Sequence, residues 1–130
     1  MRARMIFLTS AFLVLAVPVY GQAAGGGGTG AATPAMIARG DTVFHGEGNC
    51  YACHGSKGEG LVGPSLIDAE WIHSRGTVEE IAAQVAKGIP KEQSKSGIPM
   101  PAKGGSTISD EDVKAVAAYV HSISQKKPGS

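Results

Sequence analysis

Two cysteines and a histidine in one short run, Cys50-Tyr51-Ala52-Cys53-His54, carry the most specific chemistry in this 130-residue chain. The run reads C-x-x-C-H, the pattern by which a c-type haem is attached. Thiols at this spacing can add across the two vinyl groups of one porphyrin. The histidine follows directly, so the same links bring its imidazole beneath the iron. Cys50 and Cys53 are the only cysteines, so no other pair competes for a disulfide. Two other readings are weaker. A thioredoxin-like dithiol needs a βαβ setting, whereas the residues beyond Cys53 repeat at helical spacing between glycine-rich stretches. A structural zinc site needs four ligands, usually in paired groups, and no second C-x-x-C or H-x-x-x-H is present.

An iron with one histidine has a sixth position to fill. The candidates are Met36, Met100, His45, His73 and His121, or no protein ligand at all. Met36 lies on the apolar face of an N-terminal helical segment, where it serves as packing. His73 and His121 read as surface or half-buried positions. His45 is tied too closely to Cys50 to cross to the far face of a porphyrin. Met100 stands in Gly97-Ile98-Pro99-Met100-Pro101-Ala102. Its flanking prolines fix φ and restrict the residues before them, so the loop is extended and presents the thioether without a helix. The plain alternative for Met100 is an apolar plug under a loop. A soft, neutral thioether favours reduced iron, and histidine/methionine ligation raises the reduction potential. Two axial ligands also leave no place for oxygen or peroxide, so the chemistry expected is one-electron transfer.

The elements that must position these groups are helical. Met36, Ile37, Gly40, Val43 and Phe44 recur at helical spacing, which predicts a helix over Pro34 to His45 with proline in its first turn. Gly55 to Ser65 reads as a loop by its glycines. Asp68 to Ser74 is expected to form a short helix carrying Trp71 and Ile72. Thr77 and Glu80 make a capping box for a helix with Val78, Ile81, Ala82 and Val85 on one stripe, ended by Gly88. Gly88 to Thr107 is a second long loop. Ser109 caps a last helix with Asp110, Glu111 and Asp112 in its first turn, where the dipole favours acid. Val113, Val116, Ala117, Val120 and Ile123 form its buried face. No strand run and no internal repeat stands out.

Length allows one small domain. Arg2 and Arg4, an apolar run from Met5 to Val19 and small residues at Gly21, Ala23 and Ala24 make a secretory leader over 1–23. The run falls short of the roughly 18 to 20 residues of a spanning helix, and an uncleaved anchor is the competing reading. Residues 24–34 hold the tract Gly25 to Gly30 and read as a flexible linker. The folded domain covers 35–124, and 125–130 form a disordered tail. Such a domain is small for a self-sufficient core. A covalently held macrocycle would staple it, which suits a chain with one Trp, three Phe and three Tyr. Losing Arg2 and Arg4 with the leader turns a formal charge of +1 slightly negative, and no basic patch argues for nucleic acid.

The ordered landmarks Cys50-Tyr51-Ala52-Cys53-His54-Gly55, Gly63-Pro64-Ser65-Leu66, Pro99-Met100-Pro101-Ala102 and Ile108-Ser109-Asp110-Glu111-Asp112 leading to Ala118-Tyr119-Val120 resemble a class I monohaem cytochrome c of bacterial periplasmic type. The resemblance covers about Ala35 to Ser124 and is closest to the domains that accompany haem-copper oxidases and periplasmic dehydrogenases. It implies an all-α fold, a small cytochrome c fold of three to five helices and long loops around one covalent haem c. It implies His54 and Met100 as the iron ligands, with Pro64 offering its carbonyl to the other ring nitrogen of His54. Gly40 and Phe44 should meet Val116 and Tyr119. Trp71 and Arg75 are implied as donors to a haem propionate; otherwise they are a core aromatic and a surface charge. The expected function is a periplasmic one-electron carrier between redox partners, a membrane oxidase, reductase or dehydrogenase, with a membrane tether if the leader stays uncleaved. The alternative is a cytochrome subunit tightly bound to such a complex. A ligand sensor or peroxidase with a labile Met100 is a third class, opposed by the lack of a signalling domain or a distal acid–base pair.

Overall fold

The computed structural model describes residues 32–125. The leader, most of the glycine linker and the last five residues of the tail lie outside them. Four α-helices follow in order: α1 (Pro34–His45), α2 (Tyr51–His54), α3 (Val78–Lys87) and α4 (Asp110–Ser124). Among the described residues the only β pairing is an isolated antiparallel bridge between Ile89 and Met100. The fold is all-α.

Each longer helix starts where a side-chain oxygen meets an orphan amide. Thr33 accepts from Met36 N, with Pro34 opening α1; Thr77 accepts from Glu80 N; Ser109 accepts from Asp112 N. The acids in the first turns of α3 and α4 face the positive end of the helix dipole. Gly88, at φ 75°, ends α3 in a conformation that favours glycine.

The core lies where α1 and α3 pack on α4. Val43, Phe44, Ile81, Val85, Val113, Val116, Ala117 and Val120 are buried there. Gly40 is what lets α1 approach: a Cβ at that position would overlap the Ala115 carbonyl of α4. Phe44 packs on Tyr119 with ring centroids 5.3 Å apart. Arg39 of α1 pairs with Asp112 of α4 at 2.7 Å across the same contact.

One expected element does not form. Asp68 to Ser74 is a chain of bends. Asp68 accepts from Glu70 N at 3.2 Å and Ser74 Oγ accepts from Gly76 N at 3.2 Å. Such side-chain bonds give the backbone an alternative to the helical ladder. Trp71 turns inward over Gly76, where a Cβ would collide with its indole. The second long loop also carries more order than its composition indicated, with 3₁₀ turns at Lys91–Gln93 and Ala102–Gly105.

Candidate haem site

His54 ends α2, directly after the second cysteine, and is buried at 9% exposure. Its Nδ1 lies 2.9 Å from the Pro64 carbonyl oxygen. A carbonyl can only accept, so Nδ1 carries the proton and Nε2 is the nitrogen left for a metal. Burial lowers the histidine pKa and the Pro64 bond opposes that only in part, so the ring is held neutral. The loop that supplies Pro64 is fixed by backbone bonds from Gly60 N to His54 O at 2.6 Å and from Gly63 N to Cys53 O at 2.9 Å. Gly63 lies flush against the imidazole: a Cβ there would stand 2.9 Å from Cε1.

His54 shares one cleft with Met100. The cleft is open on one side, and its wall includes Cys50, Cys53, His54, Pro64, Trp71 and Met100. Most of the wall is apolar, with Phe44, Ile81, Val85, Val116 and Val120 at its base. Val62, Ile72 and Ile98 belong to the same wall yet are 44%, 44% and 52% exposed. A flat apolar group entering the cleft would cover them.

Met100 sits on the far loop, half-buried against the core. The bridge to Ile89 fixes its backbone: Ile89 N donates to Met100 O at 2.8 Å and Met100 N to Ile89 O at 2.9 Å. Of the two cysteines, Cys53 is exposed and Cys50 is partly buried. Burial pushes the Cys50 thiol up to about 11. A sulfur in that place suits a thioether, which has no charge to desolvate. The residues present therefore fit a haem: paired thiols at the rim, a neutral imidazole with one nitrogen committed elsewhere, a thioether in the same cleft and an apolar floor.

The other sequence candidates fall as follows. Trp71 lines the cleft. Arg75 is not brought to it; its guanidinium bonds Glu80 at 2.8 Å and 2.9 Å, and its backbone N–H donates to the same carboxylate at 2.8 Å. Those bonds hold the Glu80 carboxyl below the usual range. His73 lines the cleft from an exposed position. His121 is half-buried with Nδ1 2.8 Å from Gly76 O. Met36 is half-buried on α1. His45 has both ring nitrogens on carbonyl oxygens, Asp41 O at 2.9 Å and Ser56 O at 2.6 Å. The Ile89–Met100 bridge and the His45 bonds went unseen in the sequence; a single non-local backbone pair has no residue signature.

Comparison with known proteins gives the same picture. Residues 35–120 match the family model described as cytochrome c oxidase, cbb3-type, subunit III. The cbb3-type cytochrome c oxidase subunit FixP of Azorhizobium caulinodans is 35% identical over 82 residues, which is 62% of this chain and 28% of that protein. Subunit CcoP of Rubrivivax gelatinosus is 35% identical over 92 residues, 70% of this chain and 27% of that protein. The chain thus spans less than a third of the length of these relatives. No solved structure matches it. With the family model covering most of the chain and the helices and loops laid out around one cleft, this protein has the small all-α cytochrome c fold and belongs to the family of cbb3-type cytochrome c oxidase subunit III.

Proposed function

We propose that the chain is an electron-transfer domain carrying one haem c, covalently held by Cys50 and Cys53 and ligated by His54 and Met100, and that it works as a cytochrome subunit of a membrane oxidase. The observation that carries this reading is the placement of His54 and Met100 in the wall of one apolar cleft. Bound there, the haem supplies a one-electron iron couple. His54 presents a neutral imidazole whose direction Pro64 fixes. Met100 supplies a neutral thioether from a loop pinned to Ile89. Phe44, Val116 and Val120 keep water from the floor of the cleft. Trp71, in the wall, is the donor assigned to a propionate; Arg75, engaged by Glu80, is given no such role. Reduction of oxygen falls to other subunits.

A free periplasmic carrier is the simpler form of the same chemistry. The relatives' names, all oxidase subunits, favour the bound form. No helix among the described residues is long and apolar enough to cross a membrane. Export through the leader puts the domain in the periplasm. The test is native extraction followed by potentiometry. A haem-staining band that migrates with a membrane oxidase and shows a reversible one-electron couple supports the proposal. A small free monomer with the same couple supports the carrier, and a chain with no reversible couple overturns both.

A further inference from the structure

Beyond Met100 the chain turns sharply at Ala102–Gly105, and one side chain ties that turn to the rest of the fold. Lys103 is left-handed there, at φ 54° and ψ 29°, a backbone state that residues with a Cβ resist. Its ammonium donates to Ile108 O at 3.0 Å and to Asp110 Oδ1 at 2.8 Å. The side chain is only 29% exposed. The Lys103 carbonyl in turn accepts from Ser106 Oγ at 2.6 Å and Ser106 N at 3.1 Å. Ile108 is buried and Asp110 opens α4, the helix on which both α1 and α3 pack. A lysine held in a strained backbone state by two bonds to a rigid helix start calls for a purpose.

We propose that Lys103 is a positioning residue: its ammonium, bridging Ile108 O and Asp110, latches the methionine loop to the start of α4 and keeps the Met100 thioether in the cleft. This rests on Met100 being the second iron ligand. The Ile89 bridge holds the loop at the Met100 backbone, and Lys103 holds it three residues further along the chain. A segment anchored at two points opens less often than one anchored at a single point. The strain gives a clean discrimination. Lys103→Gly relieves the left-handed backbone while releasing the latch. A purely conformational role predicts an equal or firmer loop; the latch predicts a looser one.

The experiment uses the holoprotein as wild type, Lys103→Gly, Lys103→Arg and Asp110→Asn. The readouts are the sulfur-to-iron charge-transfer band of the oxidised state, carbon monoxide binding to the reduced state, and hydrogen exchange of the Met100 and Ile89 amides. Lys103→Arg, which keeps a cation and its donors, is expected to stay close to wild type. Lys103→Gly is expected to bind carbon monoxide and exchange the Met100 amide about tenfold faster or more, with Asp110→Asn moving the same way by less. Both variants remaining within about twofold of wild type would overturn the latch. If Lys103→Gly fails to mature, Asp110→Asn decides alone. A wild-type protein without the band contradicts Met100 ligation itself, and the latch falls with it.

Discussion

His54 is useful because its other nitrogen is committed. With Nδ1 on Pro64 O and the ring wedged against Gly63, the imidazole has one direction and one tautomer. Gly63→Ala would push a methyl into the ring. The variant is expected to mature with a tilted proximal ligand, seen as a reduction potential displaced from that of wild type; an unchanged potential would show that the loop yields instead. His45 is the second residue whose bonds bias its charge. Two carbonyl acceptors around one ring favour its doubly protonated form. The bond to Ser56 first, then that to Asp41 and the Asp41 carboxylate 2.9 Å away, raise its pKa. Tyr51 stacks on it and Phe44 and Tyr119 meet its edge, so no other charge faces it in this cluster. A raised folded-state pKa means stability that is complete below the ordinary value of about 6.5 and lost as pH rises through the folded value. Thermal melting of wild type and His45→Gln should therefore differ most near about pH 5.5 and least near about pH 9.

The elements were legible to different degrees. Helices α1, α3 and α4 are readable because their signals are local: Pro34 in a first turn, Thr77 with Glu80, Ser109 before three acids, each ahead of an apolar stripe. The short helix expected at Asp68 to Ser74 is not, because Asp68, Ser74 and the inward turn of Trp71 compete with the helical ladder. Arg75, which the resemblance implies as a propionate donor, is held by the Glu80 carboxylate five residues away and does not line the cleft. The cysteines, His54 and Met100 stood out by motif, but the devices that hold Met100 did not, since Ile89 and Lys103 resemble any loop residue until the chain folds. At this scale the α1–α4 crossing is the most demanding contact. Gly40→Ala puts a methyl into the Ala115 carbonyl, a rigid backbone group. The expected loss is about 3 kcal/mol, read from the denaturant midpoint of the holoprotein. A shift below about 0.5 kcal/mol would mean that the helices slide apart without cost.

At the scale of the whole molecule, one apolar cleft organises everything else. The helices furnish its floor and the two long loops furnish its sides; α2 delivers His54, the first loop the Pro64 carbonyl that orients it, and the second loop Met100. A domain with so few large aromatic residues gains from a macrocycle at its centre as much as the macrocycle gains from dry walls. Under the proposed ligation by His54 and Met100, both axial positions would be filled and the site would be confined to passing electrons. Proton NMR of the reduced, diamagnetic holoprotein tests the joint placement of His54 and Met100 most directly. A methionine bound to the iron lies over the porphyrin face, so ring current should drive the Met100 Cε methyl resonance far upfield, and Met100→Ala should abolish it. A methyl resonance at the ordinary position of an unbound methionine, in a protein with its haem attached, would contradict the account.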